Sequence, residues 1–259
     1  ERKRVGIHTL NSELPYRGDL MTHKVQYNPY LHISKAYLSL VEVLAEESLE
    51  LPFYKRPADS LLVETPAFMP SDVEVEAVKS LLEEKLGRAI SFPIILLNPN
   101  ASDMLPLRRW PTARFVDLGK KLLTENPDAI LVLTGAPSEK RACEEIRKEF
   151  SDNRVISVAG FTSLRELIVL YSLSNVLITN DSGPGHFASL TRIDTIVLFG
   201  PETPELFEPL GKHIHVIWKK LACSPCVNAF NHRFSPCNDN ICMQKITVDE
   251  VFNKAITLI

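Results

Sequence analysis

Short runs of apolar residues alternate with amphipathic segments from about residue 90 to residue 200. Each apolar run has the length of a buried strand, and each amphipathic segment repeats apolar residues at helical spacing. The predicted strands are residues 93–97, 129–133, 155–158, 176–179 and 195–199. The predicted helices are residues 111–123, 138–150 and 163–171, with a fourth that begins near Gly183. Apolar strands joined by helices predict a parallel sheet covered on both faces, and therefore a Rossmann-like α/β domain.

The pattern is less regular before residue 89. One strand over residues 4–9 and two helices over residues 34–45 and 73–86 are predicted there. These elements are too few for a second complete α/β domain. We therefore divide the chain into an incomplete N-terminal domain with its linker, residues 1–88, and a C-terminal domain, residues 89–259. Because the chain begins without Met and already resembles the middle of a domain, we expect a further segment upstream.

Charge and composition argue against several classes of protein. The 259 residues are 45% hydrophobic and 24% charged, and they carry a net charge of −3. Nucleic-acid binding requires a basic excess, so no nucleic-acid partner is expected. No apolar run approaches the ~18–20 residues that span a bilayer, and no signal-peptide pattern follows the charged first residues. We expect a cytoplasmic protein, and any contact with a membrane is expected to be peripheral.

The most informative polar motif is Thr-Asn-Asp-Ser-Gly-Pro-Gly-His at residues 179–186, where a predicted strand ends and a helix begins. Ligands of open parallel sheets bind beyond the carboxyl ends of the strands. The two glycines let the backbone approach a ligand, and the amides and dipole at a helix start suit a diphosphate. Ser182 adds a hydroxyl, and His186 lies one turn into the helix. The alternative is a plain turn in which Asp181 or Ser182 caps the helix.

A second polar motif, Asn-Pro-Asn-Ala-Ser at residues 98–102, also follows a strand and precedes Arg-Arg-Trp-Pro at residues 108–111. Its small polar residues suit the wall of a phosphate pocket, and an arginine suits the charge of a departing diphosphate. The alternative is a polar loop with solvated arginines. A third motif, Phe-Gly-Pro-Glu-Thr-Pro at residues 199–204, is also explained by a rigid structural turn.

Four of the five cysteines lie between residues 223 and 242, and the fifth is Cys143. In a protein of cytosolic character, such a cluster favours a local metal or thiol device over a disulfide framework. The pattern is compatible with a tetrahedral zinc site, with His232 as an alternative ligand, but its gaps are looser than those of zinc ribbons. Zinc binding, pairing and reduced thiols therefore stay open for these residues. The four are Cys223, Cys226, Cys237 and Cys242.

Taken in chain order, these motifs resemble glycosyltransferase family 9, the heptosyltransferases that add sugars to the inner core of lipopolysaccharide. Each motif alone is weak, but six in the right order are specific. They are residues 98–102, 108–111, 133–135, 181–186, 198–204 and the cysteine segment that runs from 223 to 243. The resemblance is strong over about residues 90–259 and extends weakly to Leu-Met-Thr-His at residues 20–23.

The resemblance implies a GT-B architecture, with two Rossmann-like domains and an active site in the cleft between them. Residues 1–88 would then be the remnant of the acceptor domain, and residues 89–259 would bind a nucleotide-sugar donor such as ADP-heptose. The implied acceptor is lipopolysaccharide core or a lipid-linked sugar at the inner face of the cytoplasmic membrane. The implied donor-binding residues are Ala101, Ser102, Arg108, Thr162, Asp181, Ser182, Gly183 and His186.

The resemblance also implies a reaction, in which the anomeric carbon is inverted by direct displacement of a nucleoside diphosphate. The family's base is an Asp in a glycine-containing loop of the N-terminal domain, and we expect it upstream of Glu1. Arg108 and the amides near Ser182 would stabilise the departing negative charge in place of a metal. The implied enzyme therefore uses no catalytic metal and no cofactor besides its nucleotide-sugar co-substrate.

The chain departs from the family's pattern beside Gly135. Some heptosyltransferases have a ribose-binding Glu shortly after the corresponding Gly-Ala, whereas this chain has Pro137 and then Ser138 and Glu139. The resemblance therefore assigns neither the residue that contacts the ribose nor the identity of the nucleobase.

Three other functions fit the same features. A sugar-nucleotide 2-epimerase shares the architecture and uses its own acid-base side chains in the cleft. A nucleotide-sugar-binding module without activity requires no catalytic base. A zinc module at residues 223–242 would serve protein or nucleic-acid contact, although the acidic balance weighs against nucleic acid.

Overall fold

The computed structural model describes residues 2–8, 20–45, 57, 61, 64–90, 92–228 and 234–259. The chain divides into two compact units. The first comprises residues 1–64, 203–207 and 226–236, and the second comprises residues 65–202, 208–225 and 237–259. Among the helices that the structure describes, none has both the length and the apolar character required to cross a bilayer.

In its described residues, the first unit has the short strands β1 (Val5–His8) and β2 (His23–Gln26), which pair in parallel. Helix α1 (Ile33–Glu42) follows and continues into one 3₁₀ turn (Val43–Ala45). The hydrophobic pattern predicts β1 and α1 close to their observed bounds. It does not predict β2, because that strand has four residues and only two of them, His23 and Val25, are buried.

Six parallel strands form the sheet of the second unit. They are β3 (Ile94–Asn98), β4 (Ile130–Leu133), β5 (Val155–Ser157), β6 (Val176–Asn180), β7 (Asp194–Phe199) and β8 (Ile214–Trp218). Their order across the sheet is β5-β4-β3-β6-β7-β8. Counted within the sheet this is 3-2-1-4-5-6, the doubly wound order of a Rossmann fold, which reverses direction between β3 and β6. The predicted α/β class with a parallel sheet is confirmed.

Helices connect the strands and cover the sheet. The second unit contains α2 (Asp72–Leu86), α3 (Thr112–Glu125), α4 (Lys140–Lys148), α5 (Leu164–Leu173), α6 (Gly183–Ala188), α8 (Ile241–Gln244) and α9 (Val248–Ile256), and the first contains α7 (Pro204–Phe207). α2 and α5 both begin with a capping box, formed by Ser71 with Glu74 and by Ser163 with Glu166. These reciprocal hydrogen bonds satisfy amides that have no partner within the helix.

Side chains of each strand alternate between two buried clusters, one on each face of the sheet. Ile95 and Leu97 of β3 belong to the cluster that contains Phe115 of α3, whereas Ile94 and Leu96 belong to the cluster beneath α2 and α5. All four strand residues are fully buried. Burial on both faces explains why the central strands appear in the sequence as uninterrupted apolar runs.

β8, α8 and α9 are not among the predicted elements. β8 lies at the edge of the sheet, where Ile217 is its one buried residue, and His215 interrupts its apolar run. α8 and α9 are short, and long-range bonds hold them in place. The indole N–H of Trp110 donates to the Ile246 carbonyl at 2.9 Å, and Arg114 donates to the same oxygen at 2.5 Å.

The two units meet in sequence between Glu64 and Thr65, not at the predicted boundary between residues 88 and 89. The reason is α2, which packs against the sheet of the second unit. Its residues Val78 and Leu82 are buried in the same cluster as Ile94 and Tyr171. α2 is therefore part of the C-terminal Rossmann-like domain, whereas the prediction assigned it to the linker.

A substitution in α2 tests this assignment. Leu82→Ala removes a fully buried side chain, and we expect it to lower the free energy of unfolding by about 2–5 kcal/mol. Val73→Ala in the same helix removes a side chain that is 79% exposed, and we expect little change. Chemical denaturation of both variants measures the difference. Equal effects would contradict the packing of α2 on the sheet.

Candidate functional site

A cleft of about 440 Å³ opens at the carboxyl ends of β3, β4 and β6, where the sheet reverses its strand order. Connections leave β3 and β6 toward opposite faces of the sheet, so the loops diverge and leave a crevice between them. The cleft is lined by Asn98, Asn100, Ala101, Ser102, Arg108, Gly135, Ala136, Pro137, Glu139, Thr162, Ser163, Leu164, Leu167, Ser182, Gly183, Pro184 and Phe187. All of these residues belong to the second unit.

The buried side chain of Asn180 ties the two sides of this crevice together. Its Oδ1 accepts a hydrogen bond from the Trp110 backbone N–H at 2.9 Å. Its Nδ2 donates to the carbonyl oxygens of Pro99 and Asn100, each at 3.1 Å. One amide at the end of β6 thus holds the loop that follows β3 at both of its ends. Asn180 belongs to the motif at residues 179–186, but the motif does not predict these hydrogen bonds.

Arg108 is the cationic group of the cleft. It ends a 3₁₀ turn (Pro106–Arg108), and its side chain is only 18% exposed. One guanidinium nitrogen, Nη1, lies 3.8 Å from Oδ2 of the buried Asp181. No residue in the described part of the chain accepts a hydrogen bond from its buried Nε. A partly desolvated guanidinium with unused donors is strongly attractive to an anion.

The neighbouring Arg109 has a different role. Its Nε and Nη2 donate to the carbonyl oxygen of Ala101 at 3.0 and 2.6 Å, and Nη2 also contacts the carboxylate of Asp103. These bonds fix the shape of the loop between β3 and Arg108. Of the two adjacent arginines, Arg108 is therefore the one that lines the cleft.

The start of α6 forms another wall of the cleft. Ser182 precedes the helix in an extended conformation, and its hydroxyl donates to the Asn180 carbonyl at 3.2 Å. Gly183, Pro184 and Phe187 of the helix also line the cleft. α6 has only six residues, so its dipole is smaller than that of a full-length helix. The charge of Arg108 is consequently the main electrostatic feature of the site.

Six of the eight predicted donor-binding residues come together in the cleft. They are Ala101, Ser102, Arg108, Thr162, Ser182 and Gly183. Asp181 is buried behind them, where it contacts Arg108 rather than the cleft itself. His186 is exposed and is not among the lining residues. A helix turns about 100° per residue, which places position 186 roughly 110° away from the mean direction of positions 183, 184 and 187.

The structure adds lining residues outside the motifs, among them Glu139. Its Oε2 accepts a hydrogen bond from the Ala136 backbone N–H at 2.7 Å. Asn98, the first residue of the motif at 98–102, is the last residue of β3 and donates to the Thr134 hydroxyl at 3.1 Å. A position at or beyond the end of a predicted buried strand is the signal in the sequence that identifies such residues.

A buried thiol lies behind this wall. Cys143 is fully buried, and its Sγ accepts a hydrogen bond from Asn100 Nδ2 at 3.4 Å. Burial raises the pKa of the Cys143 thiol; the hydrogen bond from Asn100 opposes this effect, and the charge of Glu139 adds to it. The thiol therefore stays protonated at neutral pH, since an ordinary cysteine already titrates above pH 8.

The motif at residues 199–204 has a packing role at its start. A Cβ atom on Gly200 would lie 2.5 Å from the sulfur of Met243, so a larger residue between β7 and α8 would require the buried Met243 side chain to move. The Gly200 carbonyl also accepts a hydrogen bond from the Ser224 hydroxyl. This part of the motif therefore supports the interpretation of a rigid structural turn.

The cysteine cluster shows no metal centre in the part of the chain that the structure describes, where no group of three or more His, Cys, Asp or Glu side chains is arranged to hold an ion. His232, the alternative ligand, lies outside the described residues. Cys226 and Cys237 each contact a polar neighbour, Ser235 and Asp239 respectively.

Comparison with known proteins identifies the family. Residues 16–233 match the family model for glycosyltransferase family 9 (heptosyltransferase). The chain is 30% identical to lipooligosaccharide heptosyltransferase 2 of Haemophilus ducreyi over 77% of its own length and 55% of that protein. It is 28% identical to lipopolysaccharide heptosyltransferase 2 of Salmonella typhimurium over 59% of the chain and 44% of that protein. The chain thus spans about half the length of the curated relatives it matches.

Solved structures show the same fold. The structure of Escherichia coli ADP-heptose lipopolysaccharide heptosyltransferase II superimposes with a TM-score of 0.74 at 21% identity, over 99% of this chain and 69% of that one. A family 9 glycosyltransferase from Veillonella parvula gives a TM-score of 0.67 at 19% identity, over 92% and 63% of the two chains. The predicted GT-B type fold is confirmed. On the family model, the curated relatives and the order of its own motifs, the chain belongs to glycosyltransferase family 9, the heptosyltransferases.

Proposed function

We propose that the cleft binds the nucleoside diphosphate of a nucleotide sugar, with ADP-heptose as the donor. The observation that carries this proposal is the Arg108 guanidinium, which is mostly buried and held at the switch point by Asp181. Burying a charge is costly unless it is paired and hydrogen-bonded. At 3.8 Å, Asp181 attracts the guanidinium without completing its hydrogen bonds, and a diphosphate in the cleft supplies the remaining acceptors.

The hydroxyls beside Arg108 support the same ligand. Ser102 and Ser182 both line the cleft, one after β3 and the other before α6. The Ser102 hydroxyl accepts from the Met104 N–H and keeps its proton for a phosphate oxygen, whereas the Ser182 hydroxyl would first have to leave the Asn180 carbonyl. The backbone N–H at the first residue of α6, Gly183, has no acceptor within the helix by geometry and offers another donor. Together these groups surround a diphosphate with donors and one positive charge.

Other residues of the cleft suit a nucleoside. Apolar surface for a nucleobase comes from Pro137, Leu164 and Leu167, and Phe187 adds to it beside Gly183. Thr162 lies beside this surface, where the family's backbone approaches the base. Glu139 supplies a carboxylate for ribose hydroxyls three residues after Ala136, close to the position of the ribose-binding Glu in other members. This chain has Pro137 near the position of that Glu, but the carboxylate of Glu139 still lines the cleft.

The complete reaction is inverting transfer of heptose to lipopolysaccharide core or a lipid-linked acceptor. As the bond to the diphosphate breaks, negative charge grows on the leaving group, and Arg108 stabilises it more strongly than in the ground state. The catalytic base that deprotonates the acceptor hydroxyl stays a prediction. So do the cytoplasmic location and a peripheral contact of the protein with the inner face of the membrane.

Replacing Arg108 tests the proposed donor site. Hydrogen bonds to charged groups contribute about 1.5–3 kcal/mol, so we expect Arg108→Ala to weaken ADP binding about 10- to 100-fold. Arg108→Lys keeps the charge but loses the planar fork and should give an intermediate loss. Isothermal titration calorimetry measures both. The control is Arg141→Ala, which removes an arginine whose side chain is 91% exposed. ADP affinity that is the same in all four proteins would contradict the assignment.

A chelator tests whether a metal contributes to donor binding. Because Arg108 supplies the positive charge for the diphosphate, we expect ADP affinity in excess EDTA to equal the affinity without it. Metal-dependent transferases lose the bridging ion, and with it most of their affinity, under the same conditions. The comparison uses the same calorimetric titration. A loss of tenfold or more in EDTA would show that an ion, rather than Arg108, balances the phosphate charge.

A further inference from the structure

Asn100 occupies the cleft wall after β3, and its backbone is fixed on both sides. Its N–H donates to Oδ1 of Asn98 at 3.2 Å. Its carbonyl oxygen accepts from Nδ2 of Asn180 at 3.1 Å. Both partners are buried and belong to the strands that flank the switch point. The position of the Asn100 side chain is therefore set by the sheet itself and not by a mobile loop.

Both acceptors of the Asn100 side-chain N–H groups belong to the protein. Nδ2 donates to the Thr134 carbonyl at 3.1 Å and to the Cys143 sulfur at 3.4 Å. The Cys143 thiol, in turn, directs its hydrogen to the same Thr134 carbonyl at 3.6 Å. This arrangement requires a protonated thiol, whose sulfur still has a lone pair for Nδ2.

The reverse orientation of the amide is unfavourable. Rotating it by 180° would bring Oδ1 against the Thr134 carbonyl, so that two acceptors would face each other without a hydrogen between them. The space around the amide is also closed, because a Cβ atom on Gly135 would lie 2.8 Å from Nδ2 and 3.0 Å from the Cys143 sulfur. Oδ1 is consequently the end of the amide that remains for a ligand in the cleft.

The cleft therefore has two chemically different ends. Arg108 lies beside Asp181 at the end of β6, whereas Asn100 and Glu139 cluster around the residues that follow β4. β4 and β6 lie on opposite sides of β3, so the Asn100 amide and the Arg108 guanidinium are directed toward opposite neighbours of that strand. The end near β6 attracts anions. The end near β4 presents a carbonyl oxygen and a carboxylate, which repel anions and accept hydrogen bonds.

We propose that Asn100 is a specificity-determining residue, whose Oδ1 accepts a hydrogen bond from a hydroxyl of the donor outside its diphosphate. Cys143 is the positioning residue that holds the amide in this orientation. The proposal rests on the proposed function, because it assumes that the diphosphate binds at Arg108. It adds that the same ligand carries hydroxyl groups outside its phosphates, as a nucleoside diphosphate does and pyrophosphate does not.

The test compares two probes, ADP and inorganic pyrophosphate, in binding to the purified chain. We expect Asn100→Ala to weaken ADP binding about 3- to 10-fold, the value of one neutral hydrogen bond, and to leave pyrophosphate binding unchanged. Arg108→Ala should weaken both probes. The matched control is Asn253→Ala, which removes an exposed amide on α9 and should change neither. Thermal melting of each variant shows whether it is folded.

Two variants at Cys143 test the positioning role. Cys143→Ser keeps a hydrogen-bond acceptor for Nδ2, whereas Cys143→Val fills the buried space without one. We expect Cys143→Val to lower the ratio of ADP affinity to pyrophosphate affinity about 2- to 5-fold and Cys143→Ser to retain it. A general loss of stability would lower both affinities together and would leave the ratio unchanged.

The outcomes separate the two proposals. If Asn100→Ala binds ADP as tightly as the unmodified chain while Arg108→Ala does not, the role of Asn100 is wrong and the donor site stands. If Asn100→Ala weakens pyrophosphate as much as ADP, Asn100 contacts the phosphates or supports the loop, and the role proposed here is also wrong. If Arg108→Ala binds both probes normally, the proposed function fails at its central residue.

Discussion

The guanidinium of Arg108 and the buried carboxylate of Asp181 lie 3.8 Å apart at the point where the sheet reverses its strand order. Both charges are largely removed from water. The attraction between them offsets only part of the free energy that their desolvation costs. The pair is too long for a hydrogen bond, so the arginine keeps donors for an anion. Asp181 therefore acts as the support that holds Arg108 in place. This division of roles explains why a residue in the family's donor motif lies behind the cleft and does not line it.

The same end of the sheet shows how a rigid site is built from loops. Loops are usually more mobile than the elements they connect. Here the Asn180 amide bonds to Trp110, Pro99 and Asn100, and the Trp110 indole reaches Ile246 near the C-terminus. The loop after β3 is consequently fixed to β6 on one side and to the segment between α8 and α9 on the other. Because the loop is already held in place, less conformational entropy is lost when a ligand binds to it.

The sequence predicted those parts of the molecule that depend on local patterns. The strands from β3 to β7 were predictable because burial on both faces makes them apolar throughout, whereas β2 is mostly polar and His215 interrupts the apolar run of β8. Motif order identified the family and six residues of the cleft. It could not show that His186 is exposed, since a change of one position in a short helix redirects a side chain by about 100°. It included Asn100 but could not reveal its role, which depends on Cys143, 43 residues further along the chain.

A crystal structure of the chain with bound ADP would show directly which residues hold the diphosphate. We expect a diphosphate oxygen within about 3 Å of an Arg108 nitrogen, with Asp181 still beside the guanidinium. We also expect the nucleoside to extend toward the end of β4. ADP bound with its phosphates away from Arg108, or with the nucleoside on the β6 side of the cleft, would show that the assignment of the site is wrong.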